Sequence, residues 1–243
     1  MFSVGGSNVS QSKPPDLSIV IPARNEAENL RFLLPQINAI MKTLQLAPEI
    51  IVIDELADDQ TRAVAAEHGA TLLTPTSRGY GSALLAGLKA AQGDPIITMD
   101  ADQSHPPEFL VDLWNARSQA DILIASRYVP GGLADMPKAR LALSRILNTF
   151  FSLGLGMKVK DMSSGYRLYA RDALALDGTF SADFNVLQEL LVMAAMRGST
   201  IKEIPFAYHP RRYGSSHARV FRFGLSYLKT FYRLLRLRRK KAL

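Results

Sequence analysis

The sequence predicts an α/β fold in which a mostly parallel β-sheet is covered by helices on both faces. Short β-branched runs, typical of buried strands, alternate with segments whose apolar residues recur at helical spacing. Of the 243 residues, 47% are hydrophobic, which is enough for the core of one large domain. Because ligands bind beyond the carboxyl ends of parallel strands, the residues that follow each strand are the candidate site.

The elements of the amino-terminal half follow one another in a regular order. Strands are expected at residues 17–22, 49–54, 70–73, 95–99 and 122–125, and helices at residues 27–41, 58–68, 82–91 and from 106 onward. Asn25 and Glu28 form a capping pattern for the first helix, and Asp58 or Asp59 is suited to cap the second.

The regular pattern ends after residue 126. Residues 128–138 are rich in glycine and proline, which predicts a loop long enough to be functional or mobile. Beyond it, helices are expected at residues 141–150 and 184–196 and a strand at residues 200–205.

Asp100 and Asp102 follow the strand at residues 95–99, within the run MDADQSHPPE. Where a strand turns into a loop, two carboxylates separated by one residue can both reach the same bound ion. They suit Mg²⁺ or Mn²⁺, with room left for substrate phosphates. An acidic turn that caps the next helix is the alternative, and the position directly after a buried strand favours the metal site.

Positive charge is concentrated at the carboxyl end. Residues 209–243 hold 11 Lys and Arg and no Asp or Glu, whereas the other residues hold 18 basic and 22 acidic side chains. Residues 219–241 predict an amphipathic helix whose apolar face includes Leu228 and Tyr232 and whose basic face includes Arg233. Such a helix favours an anionic membrane surface as partner, and packing in a homo-oligomer is the alternative. No nucleic-acid recognition motif is present, so nucleic acid is not an expected partner.

Composition excludes several classes of protein. The chain has no cysteine, which rules out disulfides, thiolate metal sites and a cysteine nucleophile. The best candidate for a membrane span, residues 146–157, has only 12 uncharged residues and is too short. We expect three segments: a flexible tail at 1–16 without a secretory signal, a catalytic domain at 17–217, and the basic helix at 218–243.

Seven motifs in order resemble the family 2 inverting glycosyltransferases, which have the glycosyltransferase-A fold. They are VIPARNEAENL, IDELADDQT, RGYGSALLAG, MDADQSHPPE, ASRYVPGG, DMSSGYRLY and RRYGSSH, and the match covers nearly all of residues 17–217. The chain is most similar to the dolichyl- or polyprenyl-phosphate mannosyltransferase branch. The resemblance implies a nucleotide-diphosphate sugar as donor and a polyprenyl or dolichyl phosphate as acceptor, at the cytoplasmic, inner face of the membrane.

The resemblance also implies roles for individual residues. The base and ribose would be held by Pro22, Arg24, Glu26, Asp54 and Glu55, and the nucleotide-binding set is completed by Gly79, Asp100 and Ala101. Asp100 and Asp102 would bind the metal. The catalytic set would be Asp102 with Arg127, Ser164, Arg167 and Arg211, whose side chains would contact diphosphate or acceptor-phosphate oxygens. Gly79 and Gly81 either cradle a phosphate or form a tight turn before a helix.

Two departures from the family pattern concern the ligands. Glu55-Leu56-Ala57 stands where the family carries Asp-Asp-Gly-Ser, which leaves the base open between guanine and uracil. The last motif ends in His217 where the family has lysine, so a titrating group replaces a fixed cation.

The acceptor class is inferred from the lack of a residue that could act as general base. Relatives that use hydroxyl acceptors carry a Glu-Asp pair, and this chain has none; Gln188-Glu189 is the nearest candidate. Glu189 is either catalytic or bonded to a neighbouring loop. An ionised phosphate needs no general base, which favours a polyprenyl phosphate. A soluble or carrier-bound acceptor, and a sugar-nucleotide-binding module without turnover, are the alternatives.

Overall fold

The computed structural model describes residues 13–208 and 224–241. The strands are β1 (Leu17–Ala23), β2 (Pro48–Asp54), β3 (Thr71–Leu73), β4 (Ile96–Thr98), β5 (Ile122–Ser126), β6 (Leu133–Ala134), β7 (Arg167–Tyr169), β8 (Ile201–Pro205) and β9 (Ala207–Tyr208). The helices are α1 (Ala27–Thr43), α2 (Asp59–Glu67), α3 (Tyr80–Ala90), α4 (Phe109–Ala116), α5 (Lys138–Gly154), α6 (Val186–Met196) and α7 (Gly224–Lys241). Every predicted strand and helix is present, with ends shifted by a few residues.

Seven strands form one sheet in the order β3-β2-β1-β4-β7-β5-β8. Neighbouring strands run parallel except at β7, which is antiparallel to both β4 and β5. Strands β6 and β9 form a separate two-stranded sheet. The predicted mostly parallel sheet is therefore confirmed, and its parallel strands end at one edge.

The sequence does not predict β7, although this strand lies in the middle of the sheet. Its three residues are too few to show a period, and its first residue is charged. The Arg167 guanidinium is fully buried and donates hydrogen bonds to the carbonyls of Met162 and Leu187 and to the Tyr169 hydroxyl. These acceptors make a charged side chain tolerable inside a central strand.

Both faces of the sheet are covered by helices, as predicted. Ile19 and Ile21 of β1 pack in a core cluster with apolar residues of α1 and α4. Val20, which points to the opposite face, packs in a second cluster with residues of α3 and α6. A third cluster joins α5, α6 and α7.

The starts of the first two helices differ from each other in how they are capped. The N-cap of α1 is Glu26, without a side-chain cap, so the predicted capping role of Asn25 is wrong. Asn25 has φ 58°, a left-handed conformation that turns the chain between β1 and the helix. In α2 the prediction is confirmed, because Asp58 Oδ1 accepts a hydrogen bond from the Thr61 N–H at 2.7 Å.

Helix α7 confirms the predicted carboxyl-terminal helix over 224–241, while 219–223 lie outside the described residues. It packs on α5 and α6 through Phe231 and Leu234, which are almost fully buried. Leu228 and Tyr232, expected on the apolar face, are 48% and 64% exposed. The helix carries two overlapping apolar stripes. The stripe with Phe231 and Leu234 is buried against α5 and α6, and the stripe with Leu228 and Tyr232 is exposed. Across the described ranges, no helix combines the length and apolarity needed to cross a membrane.

Candidate active site

The loops that follow β1, β2, β4 and β5 enclose a cavity of about 740 Å³ at the carboxyl edge of the sheet. Most of the residues predicted to bind the donor or do chemistry line it: Pro22, Arg24, Glu26, Glu55, Gly79, Asp100, Ala101, Asp102, Arg127 and Ser164. Convergence of parallel strand ends brings together residues that are far apart in the sequence.

Two predicted site residues, Asp54 and Arg167, do not line this cavity, and a third lies outside the described residues. Asp54 is fully buried; its Oδ1 accepts a hydrogen bond from the Leu56 N–H at 2.9 Å, and its Oδ2 has no hydrogen-bond partner among the described residues. Arg167 is enclosed by backbone carbonyls below the site, which does not fit the predicted phosphate contact. Arg211 lies outside the described residues, as does the motif RRYGSSH.

Three loops at the cavity contain left-handed residues that are not glycine. Asn25 follows β1 (φ 58°), Ala57 follows β2 (φ 44°) and Gln103 follows β4 (φ 61°). Such conformations cost free energy and cluster at functional sites, where the surrounding structure enforces them. Their position at three neighbouring strand ends supports a binding role for this edge.

Asp100 and Asp102 present oxygen ligands to the cavity. Asp102 Oδ1 accepts from the Ser104 N–H at 3.0 Å, and Asp100 Oδ1 accepts from the Tyr80 hydroxyl at 3.3 Å. Within 13–208 and 224–241, no group of three or more acidic or histidine side chains suited to a metal occurs. A carboxylate pair still fits Mg²⁺ or Mn²⁺, because substrate phosphates and water complete the coordination of such ions.

His105 supports the backbone at Asp100. It is 4% exposed, stacks on Tyr166 with ring centroids 4.8 Å apart, and accepts a hydrogen bond at Nδ1 from the Asp100 N–H. Burial lowers the pKa of His105 below its usual value, against the opposing effect of the Asp100 and Asp102 carboxylates. The imidazole is therefore neutral at pH 7 and able to accept that bond.

The turn before α3 packs tightly against the chain between β7 and α6. Gly79 has φ 112°, and a Cβ there would lie 2.2 Å from the Ala182 carbonyl oxygen. The Gly79 N–H donates to Glu55, and the Gly81 N–H donates to Ala182 O at 2.9 Å. Since both amides already have partners, the arrangement favours the tight turn over the phosphate cradle.

Arg127 is fixed by a buried carboxylate. Its Nε and Nη2 donate to the two oxygens of Asp161, each at 2.7 Å, and Nη2 also donates to Ser163 Oγ. Burial would raise the pKa of Asp161, but the guanidinium reverses this and holds it below its usual value. The pair therefore stays ionised and sets the orientation of a cation at the cavity wall.

Part of the cavity wall is formed by segments that the sequence did not assign to the site. Arg140 of α5 lines it, followed by apolar side chains of α5 and α7: Leu143, Leu147, Phe150, Phe151, Tyr227 and Leu228. The helical spacing of residues 140, 143, 147 and 150 indicates one face, but only the fold shows that this face closes the site.

Asp183 also lines the cavity and was not predicted. Its two oxygens accept hydrogen bonds from the Asn185 N–H at 3.1 Å and from Ser226 Oγ at 2.9 Å. Glu189 does not line the cavity and is 1% exposed, with its carboxylate bonded to a neighbouring loop and to α7.

The fold is that of a glycosyltransferase-A protein. The solved structure of glucosyl-3-phosphoglycerate synthase from Mycobacterium tuberculosis, in complex with Mn²⁺, uridine diphosphate and phosphoglyceric acid, superposes with a TM-score of 0.71 at 20% identity, covering 91% of this chain and 78% of that chain. The family model described as Glycosyl transferase family 2 matches residues 18–176. The chain belongs to this family.

Curated relatives are similar over most of the chain. The dolichol-phosphate mannosyltransferase of Pyrococcus furiosus is 31% identical over 90% of this chain and 64% of its own length. The polyprenol monophosphomannose synthase of Mycolicibacterium smegmatis is 33% identical over 82% of this chain and 79% of its own. The low-salt glycan biosynthesis hexosyltransferase of Haloferax volcanii is 31% identical, and the chain spans about half (52%) of its length.

Proposed function

We propose that this protein is a metal-dependent inverting glycosyltransferase that moves a hexose from GDP-mannose or a UDP-hexose to a polyprenyl or dolichyl phosphate. The observation that carries the proposal is a single cavity with three kinds of wall. It is lined by carboxylates (Asp100 and Asp102), by cations (Arg127 and Arg140) and by apolar side chains of α5 and α7. Relatives named as dolichol- and polyprenol-phosphate mannose synthases support the same acceptor class.

The donor nucleotide binds at the ends of β1 and β2. Pro22, Arg24, Glu26 and Glu55 line this part of the cavity, and Asp54 lies behind them with a buried oxygen that has no hydrogen-bond partner in the described part of the chain. A buried acceptor without a partner is costly unless a ligand N–H completes it, which supports a base contact there. Gly79 and Ala101 complete the wall around the nucleotide.

Asp100 and Asp102 hold Mg²⁺ or Mn²⁺, with His105 and Tyr80 bracing Asp100. When bound, the cation neutralises the charge that develops on the leaving nucleoside diphosphate. Ser164 and Arg127 line the same stretch of wall and are suited to contact the phosphate oxygens. Arg167 does not belong to this set, because its side chain lies in the core outside the cavity, where Nη1 and Nη2 donate to protein acceptors.

Arg127 and Arg140 hold the acceptor phosphate, and the first isoprene units lie against the apolar side chains of α5 and α7 that line the cavity. An ionised phosphate oxygen attacks without losing a proton, so positioning replaces general-base catalysis. Approach from the side opposite the leaving diphosphate inverts the configuration at the anomeric carbon.

Exposed apolar side chains on α5 and α7 favour docking at the inner, cytoplasmic face of a membrane. Ile146 and Leu153 of α5 are 64% and 76% exposed, and Tyr232 of α7 is 64% exposed. Lysines and arginines on the same two helices suit anionic headgroups. The surface thus includes α5 as well as the carboxyl-terminal helix, which also adds Tyr227 and Leu228 to the cavity of the proposed catalytic domain, residues 17–217. Packing between two copies in a homo-oligomer is the alternative use of this surface.

Transfer is tested with radiolabelled GDP-mannose and UDP-glucose, each with Mg²⁺ or Mn²⁺ and a short polyprenyl phosphate. We expect a labelled product that partitions into organic solvent and that disappears in excess chelator. In Asp102→Asn we expect a loss of about 100-fold or more, since removing an electrostatic contact to the transition state has this effect. Asp112→Asn, on the exposed side of α4, is the control. Undiminished transfer in chelator or in Asp102→Asn would contradict the proposal.

A soluble hydroxyl acceptor is the second candidate, and Asp183 is the observation that favours it. A carboxylate at the cavity wall is suited to take a proton from a hydroxyl group. In that case labelled product stays in water, and Asp183→Asn lowers kcat. If nucleotide binds but neither class of acceptor is glycosylated, the chain is a binding module.

A further inference from the structure

Glu189 is a buried carboxylate outside the cavity that has partners on two different elements. It accepts hydrogen bonds from the Ser181 N–H at 2.7 Å and from the Ser181 hydroxyl at 2.5 Å. It also accepts one from Arg233 Nη2 of α7. Being 1% exposed and away from the cavity wall, this carboxylate does not reach a substrate.

Helix α7 holds the segment 179–185 at further points. Arg233 Nη1 donates to the Thr179 carbonyl at 3.0 Å, so one guanidinium joins α7 to both Glu189 and this segment. Ser226 of α7 donates to Asp183 Oδ2 at 2.9 Å and accepts from Asn185 Nδ2 at 2.7 Å. The segment is therefore anchored to α7 near both of its ends.

The opposite side of segment 179–185 packs against the turn at Gly79–Gly81, which we call the donor turn because it borders the proposed nucleotide site. Phe184 stacks on Tyr80 with ring centroids 4.4 Å apart, and the Ala182 carbonyl accepts from the Gly81 N–H at 2.9 Å. Tyr80 in turn donates to Asp100 Oδ1. A continuous series of contacts thus runs from Arg233 through the segment to a proposed metal ligand.

We propose that Glu189 is a positioning residue for Tyr80 and Asp100, which belong to the proposed nucleotide and metal site. It acts through Arg233 and the segment 179–185. Removing either partner loosens the segment, and Tyr80 then no longer holds Asp100 in place. The inference rests on the proposed function, because it assigns Asp100 to metal and nucleotide binding. It also makes the placement of the membrane-facing helix a determinant of donor affinity.

The test measures the affinity of the full chain for UDP and for GDP, each with Mn²⁺, by calorimetry in the absence of membranes. The variants are Arg233→Gln, Glu189→Gln and the double variant, with Arg239→Gln as control. Arg239 is exposed on the same helix, so its replacement removes the same charge without breaking the Glu189 contact. Ser226→Ala tests the second anchor independently if Glu189→Gln fails to fold.

We expect Arg233→Gln and Glu189→Gln each to raise the Kd of the Mn²⁺–nucleotide by about threefold or more, with the double variant no weaker than the worse single one. Arg233→Lys restores part of the affinity, and Arg239→Gln binds like the parent. Variants with a lower Tm and an unchanged Kd would show a purely structural role and overturn the inference. Failure of the parent chain to bind either nucleotide would instead overturn the proposed function, and the inference with it.

Discussion

The imidazole of His105 accepts a hydrogen bond from the backbone N–H of Asp100, with 2.9 Å between Nδ1 and N. The loop after β4 therefore folds back so that a ring five positions later supports the strand end. The Tyr166 ring stacks on the face of the His105 imidazole and fixes its orientation. The backbone of a proposed metal ligand is held by a neutral, buried acceptor.

His105→Phe tests this support. Phenylalanine keeps the stacking on Tyr166 but leaves the buried Asp100 N–H without an acceptor, which costs about 1–3 kcal/mol. We expect the Mn²⁺ concentration needed for half-maximal transfer to rise by about tenfold. The control is His68→Phe, at the end of α2 and away from the cavity. An unchanged metal dependence in His105→Phe would show that Asp100 is positioned without the ring.

Gly79→Ala tests the packing of the donor turn, with Gly198→Ala as control. Both glycines have positive φ, but Gly79 also has ψ 153°, a region essentially restricted to glycine, so alanine there costs about 1–3 kcal/mol in the backbone before any clash is counted. At Gly79 the new Cβ would lie 2.2 Å from the Ala182 oxygen, whereas at Gly198 it meets nothing within 4 Å. We expect Gly79→Ala to lose about 1–3 kcal/mol more stability in urea unfolding and to bind nucleotide more weakly. Equal losses would show that the turn relaxes freely.

Arg127→Met tests the buried ion pair and its pH dependence. Removing the guanidinium leaves Asp161 buried without its main counter-charge, which costs about 3–5 kcal/mol near pH 7. In the parent the pKa of Asp161 is lowered, so its contribution is present above the unfolded value and is lost only in acid. In Arg127→Met, burial without the guanidinium raises the pKa of Asp161. The folded protein therefore loses stability as the pH rises through this raised pKa.

Urea unfolding at about pH 5 and about pH 7 distinguishes the two chains. We expect the stability deficit of Arg127→Met to be smaller at the lower pH. In the double variant with Asp161→Asn, the extra pH dependence should vanish because no titrating group remains at this position. A deficit that is the same at both pH values would mean that Asp161 does not change its ionisation.

The position of Asp100 and Asp102 at the cavity was predictable because local pattern and topology agree there. A buried run ends at Asp100, a proline pair follows, and the convergence of parallel strands brings Arg24, Glu55 and Arg127 to the same cavity. Each of these residues lies within a few positions of a recognisable strand, so spacing alone places it.

Other parts depend on contacts between distant segments and leave no trace in local spacing. Arg167 shares a motif with Ser164, yet the carbonyls of Met162 and Leu187 turn its guanidinium into the core. Arg140 and Asp183 reach the cavity only because α5 and the segment before α6 fold over it. Arg233, expected on a solvated basic face, contacts Glu189 because α7 packs through its other apolar stripe.

Ile146→Ser and Leu153→Ser test the membrane-facing surface. Both side chains are well exposed, so we expect the Tm to stay unchanged. Each burial in the membrane interface is worth about 1.5–3 kcal/mol, and the double variant should therefore bind anionic vesicles at least about tenfold more weakly in flotation. Leu133→Ser, 55% exposed on β6, is the control. Unaltered flotation, together with a change from dimer to monomer, would assign the surface to self-association.

Arg140→Leu separates the acceptor from the donor. Leucine keeps the apolar contacts of the stem but removes a cation that lines the cavity. A charge-assisted hydrogen bond is worth about 1.5–3 kcal/mol, so the KM for a short polyprenyl phosphate should rise by about tenfold or more. The Kd of the Mn²⁺–nucleotide should stay constant, because the proposed nucleotide contacts come from the loops after β1, β2 and β4 and not from α5. Arg145→Leu is the control, since this residue lies on α5 with its guanidinium 5.6 Å from the Tyr128 ring centroid. A loss of nucleotide affinity in Arg140→Leu would move this arginine to the diphosphate and leave Arg127 as the cation for the acceptor.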